Sequence, residues 1–174
     1  MKPDIIYLTG APGSGKTQLA RALNEKLYSY THIDPDDLLQ SFWEHNTENP
    51  DYDREKVGIP RMQRIIESLL ADDVRLIVDS QPDIDWLKKI SQKYRLINLH
   101  CQASNPAERF YNREVSPDGT VPDWLEEHMP TIKQHEKDAK EPIDFGQKII
   151  IVNCDNGYSP TIEEIVKLVD GVKQ

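Results

Sequence analysis

Long apolar runs are missing from this sequence. None approaches the roughly 20 residues that a membrane-spanning helix requires, and Met1–Asp4 leads directly into a short apolar strand without a secretory signal pattern. Cysteine is also scarce, and the two residues present, Cys101 and Cys154, favour a reduced chain over a disulfide framework. We therefore expect a cytoplasmic protein with no membrane partner.

Positive charge is in deficit as well. Lysine and arginine number 21 against 30 aspartates and glutamates, and the formal net charge is −9. Proteins that bind nucleic acid over a broad surface are usually basic, so a polynucleotide could bind only at a local basic site. The remaining composition, with 37% hydrophobic and 29% charged residues, is that of an ordinary globular protein, and the length predicts a single domain covering residues 1–174.

Short apolar runs alternate along the chain with segments in which apolar residues recur at helical spacing. This alternation predicts an α/β fold, with a five-stranded parallel sheet and helices on both of its faces. The predicted strands are Asp4–Thr9, Tyr30–Ile33, Val74–Val78, Leu96–Cys101 and Lys148–Val152. The predicted helices are Lys16–Leu27, a helix through Trp43 capped by Asp34–Asp37, Arg54–Leu70, Asp83–Lys93, Asn105–Val115, Pro122–Lys140 and Thr161–Val169. Gly58 and Pro60 interrupt the first half of Arg54–Leu70, so its regular part is expected to begin near Pro60.

The turn after the first strand has the pattern G-x-x-x-x-G-K-[ST]. Its glycines let backbone N–H groups turn toward phosphate oxygens, and the following helix adds the partial positive charge of its N-terminus. Lys16 can reach the β and γ phosphates, and the Thr17 hydroxyl can hold Mg²⁺. The predicted cofactors are therefore ATP and Mg²⁺. The residues of the pattern, all predicted to bind the nucleotide, are Gly10, Ala11, Pro12, Gly13, Ser14, Gly15, Lys16 and Thr17.

Two strands end in carboxylates, at the edge where open α/β sheets bind their ligands. Asp79 closes the third strand, and we predict that it shares Mg²⁺ with Thr17; a role in a turn or a helix cap is the alternative. The second strand runs into Asp34-Pro35-Asp36-Asp37. A kinase benefits from a carboxylate that takes the proton of the acceptor hydroxyl, although these residues could also simply cap the next helix.

A guanine-reading Asn-Lys-x-Asp pattern is absent, and Cys101-Gln102-Ala103-Ser104 follows the fourth strand instead. The chain is also short and has no long insertions. Both features favour a small kinase, an ATP-dependent phosphotransferase with an alcohol group as acceptor, over a GTPase or a motor ATPase.

Gly10–Thr17 and Ile33–Ser41 together resemble the kinase domain of bacteriophage polynucleotide 5′-hydroxyl kinase and its zeta-toxin-like and chloramphenicol-phosphotransferase-like relatives. The resemblance runs from about Asp4 to Lys137 and implies a three-layer P-loop kinase fold with a helical lid. It makes Asp36 the general base by position, and Asp79-Ser80 resembles an Asp-Thr pair of the family.

The lid is expected between about residues 109 and 140. Phe110–Arg113 and Thr120–Leu125 resemble the family's lid helix, lid loop and following helix. Arg109 and Arg113 lie four residues apart on one helix face, and such arginines can close over the triphosphate and stabilise the migrating charge. Both are predicted to contact the nucleotide; ion pairs with neighbouring glutamates are the alternative. The predicted catalytic residues are Lys16, Asp36 and Arg113.

Two departures from the family bear on the acceptor. Leu39 stands where the polynucleotide kinases carry an arginine for the 3′ phosphate, and Pro117-Asp118-Gly119 occupies the region of a second lid arginine. The leading prediction is transfer of the γ-phosphoryl group of ATP to a hydroxyl of a nucleic acid or nucleotide-like acceptor. The alternatives are a modified DNA base such as the phage base 5-hydroxymethyluracil, and a small molecule or sugar nucleotide. A non-catalytic nucleotide-binding switch would need the loop but no acceptor carboxylate. The residues predicted to contact the acceptor are Asp34, Asp36, Arg61, Arg64 and Ser80.

Overall fold

A computed structural model of the chain describes residues 4–46, 52–81 and 83–171. Five parallel strands form one sheet in the order β2-β3-β1-β4-β5. The predicted fold class is therefore confirmed, and every predicted strand boundary is met to within one residue. The strands are β1 (Ile5–Thr9), β2 (Tyr30–Ile33), β3 (Arg75–Asp79), β4 (Leu96–Gln102) and β5 (Lys148–Asn153).

Helices connect the strands on both faces of the sheet. In the described ranges they are α1 (Lys16–Asn24), α2 (Pro35–Glu44), α3 (Ile59–Ala71), α4 (Ile84–Ser91), α5 (Pro106–Glu114), α6 (Asp123–Asp138) and α7 (Ile162–Asp170). Several begin at side-chain caps that satisfy free N–H groups. Asp34 accepts from the Asp36 amide at the start of α2, and Thr161 forms a capping box with Glu164 at the start of α7.

Two apolar clusters separate the layers. On one face of the sheet, Leu19 and Leu23 of α1 and Ile165 of α7 pack against the strands. On the other face, residues of α2, α3 and α4 such as Phe42 and Ile66 pack in the same way. The central strands are buried on both sides, as parallel sheets usually are.

The predicted helix Arg54–Leu70 is divided in the structure. A π-helical turn, Arg54–Gly58, precedes α3. Gly58 is buried, and a Cβ there would lie 2.7 Å from the Tyr52 hydroxyl and 3.1 Å from Leu39 Cδ2. The close packing of this turn against α2 explains why the regular helix begins only at Ile59, next to the proline that suits a first turn.

No helix in the described part of the chain combines the length and the apolar character that a membrane crossing would require.

Candidate active site

The phosphate-binding loop closes tightly around its glycines. Gly10, Gly13 and Gly15 all have positive φ angles, of 135°, 81° and 97°, in the region that favours glycine. A Cβ at Gly10 would lie 2.3 Å from the Cys101 carbonyl oxygen, and one at Gly13 would lie 2.1 Å from the Pro106 carbonyl oxygen. The loop therefore fits between the end of β4 and the start of α5, at the N-terminus of α1.

Lys16 is folded back onto this loop. Its Nζ donates to the carbonyl oxygens of Gly10 and Ala11, each at 2.9 Å. Burial lowers the pKa of Lys16, while the nearby carboxylates of Asp79 and Asp36 oppose the shift. Phosphate oxygens are better partners for an ammonium group than loop carbonyls are, so the side chain is placed to exchange one set of acceptors for the other.

An open cleft of about 930 Å³ extends from the loop across the carboxyl ends of β2 and β3. It joins the phosphate-binding loop to the carboxylates and to the lid region. The lining residues are Pro12, Gly13, Gly15, Lys16, Thr17, Gln18, Arg21, Asp34, Asp36, Leu39, Gln40, Trp43, Tyr52, Arg54, Asp79, Ser80, Gln81, Arg109, Phe110, Arg113 and His135.

Asp79 lies at the floor of the cleft and is almost fully buried. Its Oδ1 accepts from His32 Nε2 at 2.6 Å, so the adjacent strand β2 fixes the orientation of the carboxylate. Thr17 lines the same cleft. Mg²⁺ in nucleotide sites is usually held by one or two carboxylates together with phosphate oxygens and water, and an oriented Asp79 with the Thr17 hydroxyl suits that donor set.

The acidic segment after β2 divides its residues between two environments. Asp34 is half-buried and caps α2. Burial and the charge of Asp79 raise the pKa of Asp34, although the Asp36 amide hydrogen bond opposes this. Asp36 is exposed, with 76% of its side chain accessible, and its Oδ1 lies 3.2 Å from Arg54 Nη2. Asp37 is exposed as well but does not line the cleft, so Asp36 is the exposed carboxylate of this segment that faces it.

The two arginines of α5 make different contacts. Arg109 donates to the Cys154 carbonyl oxygen at 3.2 Å and lies 3.8 Å from Asp155, which ties α5 to the loop after β5. Arg113 stacks over the Phe110 ring at 4.9 Å and pairs with Glu114 at 2.7 Å. Arg113 therefore forms the ion pair with a neighbouring glutamate that was the alternative for it. Its side chain also lines the cleft.

Comparison with known proteins identifies the domain. Residues 6–128 match the family model described as AAA domain. The chain belongs to this family. A nucleotide-binding protein from Lactobacillus gasseri is 30% identical to this chain over 80 residues, which is 46% of this chain and 28% of that protein. The match thus spans less than a third of the length of the curated relative.

Solved structures show the same fold over the whole chain. A candidate kinase from Chloroflexus aurantiacus superposes with a TM-score of 0.70 at 20% identity and full coverage of both chains. Shikimate kinase from Acinetobacter baumannii, solved with shikimate, gives 0.57 at 17% identity, covering 99% of this chain and 97% of that one. The AAA domain therefore has the fold of small P-loop kinases, whereas the finer resemblance to polynucleotide kinase remains a prediction.

Most of the predicted site residues of the AAA domain meet in the cleft. Ala11 and Ser14 instead line a smaller neighbouring cavity of about 330 Å³. Arg61 and Arg64 do not line the cleft: both are exposed on α3, and the Arg61 guanidinium lies 4.6 Å from the centroid of the Phe42 ring. The predicted residues that line the cleft are Pro12, Gly13, Gly15, Lys16, Thr17, Asp34, Asp36, Asp79, Ser80, Arg109 and Arg113.

Sequence reasoning did not assign His32 and Arg54, which contact the carboxylates of the site. The sequence placed His32 near the end of a strand, but its contact with Asp79 depends on the pairing of β2 with β3. Arg54 had no comparable signal, because its position depends on the packing of the π-helical turn against Leu39. Trp43, near the end of α2, also lines the cleft, and 54% of it is exposed.

Proposed function

We propose that this protein is an ATP-dependent kinase that transfers the γ-phosphoryl group to a hydroxyl of a small or nucleotide-like acceptor. One observation carries the proposal. A single cleft joins the phosphate-binding loop and Lys16 at one end to the accessible carboxylate of Asp36 at the other. A nucleotide-binding switch would need the first end but has no use for the second.

The proposed transfer assigns a role to each group. Asp36 accepts the proton of the acceptor hydroxyl while the oxygen of that hydroxyl forms a bond to the γ-phosphorus. The bond between the γ-phosphorus and the β–γ bridging oxygen breaks, and ADP is released. Mg²⁺ would neutralise phosphate charge, with Thr17 and Asp79 as its protein partners. Lys16 and Arg113 stabilise charge on the transferred group. The helices between residues 109 and 140 act as the lid that excludes water.

The acceptor is best sought with γ-labelled ATP and a panel of hydroxyl compounds. The panel contains thymidine, thymidine 3′-monophosphate, a 5′-hydroxyl oligonucleotide, DNA with 5-hydroxymethyluracil, a sugar nucleotide and shikimate. The wild-type protein should label at least one of them. Lys16→Met should abolish labelling, because the phosphates lose their cation, whereas Lys26→Met, which removes an exposed lysine paired with Glu163, should not. Nucleotide binding without transfer to any acceptor would instead favour the switch.

A further inference from the structure

The contact between Arg54 and Asp36 occupies the acceptor end of the cleft. Both side chains are largely exposed, at 60% and 76%, and exposed ion pairs contribute little to stability. An incoming anion can therefore displace the carboxylate at little cost. While the pair persists, Asp36 Oδ1 accepts a hydrogen bond from Arg54 Nη2, 3.2 Å away, and is less available to an acceptor hydroxyl.

Packing holds Arg54 in this position. Asp53 caps the π-helical turn by accepting from the amides of Glu55 and Lys56 at 2.9 and 3.0 Å. At the other end of the turn, Gly58 packs against Leu39 of α2, the same helix that carries Asp36. The turn and the first half of α2 thus form one unit that keeps the guanidinium within reach of the carboxylate.

Other cations of the cleft lie near the phosphate-binding loop and α5. Lys16 contacts the loop carbonyls, Arg109 contacts the segment after β5, and Arg113 lies over Phe110 on α5. Arg21 also lines the cleft, from the last turn of α1. In the described part of the chain, Arg54 is the cation for which a contact with Asp36 is found.

We infer that the acceptor carries a carboxylate or phosphate group near the reacting hydroxyl, and that Arg54 binds this group and so releases Asp36. The inference rests on the proposed kinase function. A guanidinium group presents paired donors that match the two oxygens of such an anion. When the anion takes these donors, the Asp36 carboxylate becomes free to accept the hydroxyl proton. An uncharged acceptor leaves Arg54 paired with Asp36. Arg54 therefore determines the preference for acceptors that carry an anionic group.

A binding measurement tests the anion site without any transfer reaction. The protein is saturated with the magnesium complex of a non-hydrolysable ATP analogue, which fills the phosphate-binding loop. Inorganic phosphate or acetate is then titrated while the amide resonance of Asp36 is followed by NMR. The resonance should shift in the wild type and in Arg61→Gln, which lacks an arginine outside the cleft, but not in Arg54→Gln. An unchanged titration in Arg54→Gln, or none in the wild type, would overturn the inference.

Kinetics with matched acceptors provide the second arm. Thymidine 3′-monophosphate is compared with thymidine, and gluconate with glucose. The charged member should be preferred about tenfold or more, since one charge-assisted contact is gained, and Arg54→Gln should remove the preference while Arg61→Gln keeps it. Equal transfer to both members contradicts the inference and leaves the kinase intact. Anion binding without transfer to any acceptor contradicts the proposed kinase but leaves the anion site intact. The member of the panel that is phosphorylated distinguishes phosphate from carboxylate.

Discussion

At the scale of single residues, the structure separates carboxylates that the sequence left together. Asp34, Asp36 and Asp37 follow one another after β2, and each could be read as a helix cap or a base. The side chain of Asp34 turns back to the Asp36 amide and caps the helix, so Asp36 is left accessible. The resemblance had already indicated Asp36, but the reason for it is the direction in which each side chain points at the helix start.

Replacement of Asp34 by asparagine tests this division. The raised pKa of Asp34 means that the native state holds a proton more tightly than the unfolded chain. The free energy of unfolding should then fall as the pH rises above the unfolded value of 3.8. Asparagine caps helices equally well and carries no charge, so Asp34→Asn should lose that part of the pH dependence. Its free energy of unfolding at pH 7 should rise by no more than about 1 kcal/mol, because solvent screens the charge of a half-exposed group.

Urea denaturation at several pH values measures the effect. Asp37→Asn is the matched control, since it removes an exposed carboxylate from the same helical turn and should give no such gain. An Asp34→Asn protein that is less stable than the wild type at pH 7, with the same pH slope, would contradict the environment assigned to Asp34.

His32 shows what single residues cannot reveal. His32 lies 2.6 Å from the buried Asp79 carboxylate, because β2 and β3 are neighbours in the sheet. A role that depends on the pairing of two strands becomes visible only when the strand order is known.

At the scale of elements, local signals predicted the strands well and the π-helical turn poorly. The turn Arg54–Gly58 depends on a close contact between Gly58, Tyr52 and Leu39, and no periodicity in the sequence encodes such a contact. Leu39, which stands where the polynucleotide kinases carry an arginine, is buried and packs against this turn. Arg54, from the turn itself, is the cation that lines the cleft nearby.

The phosphate-binding loop offers a test at this scale. A methyl group at Gly13 would meet backbone atoms of α5, with Pro106 O at 2.1 Å and Phe110 N at 2.8 Å, so the loop or the helix must move. Gly13→Ala should lower the free energy of unfolding by about 2 kcal/mol or more and should abolish binding of a fluorescent ATP analogue.

Gly119→Ala separates this contact from backbone strain. Gly119 has a similar φ angle of 84°, but a Cβ at this position would have no atom within 4 Å. The substitution should cost about 1 kcal/mol and leave nucleotide binding intact. Equal losses in the two variants would show that the contact with α5 is unimportant.

At the scale of the whole molecule, the alternation of strands and helices predicted a parallel sheet but not the order of its strands. The observed order places β1 and its loop at the centre. β2 and β3 then bring Asp36 and Asp79 to one side, and β4 and β5 bring the segments that contact Arg109 to the other. The two ends of the cleft are therefore separated by the strand order, because β2 and β3 lie on one side of β1 whereas β4 and β5 lie on the other.

Charge is also distributed at this scale. The molecule carries a net charge of −9, yet Lys16, Arg21, Arg54, Arg109 and Arg113 all line one cleft. Such a cleft concentrates positive potential where anionic ligands bind. Three carboxylates, Asp34, Asp36 and Asp79, line the same cleft. The five cations come from α1, α5 and the π-helical turn, so only the fold brings them together.

The central claim is that Asp36 acts as the base of a phosphoryl transfer whose donor site lies at the other end of the same cleft. Asp36→Asn keeps the shape of the side chain and removes its basicity. With the acceptor found by the labelled-ATP panel, the rate of transfer should fall about 100- to 10,000-fold, while ATP affinity, measured by equilibrium binding, should remain that of the wild type. Unchanged turnover in Asp36→Asn would contradict the account.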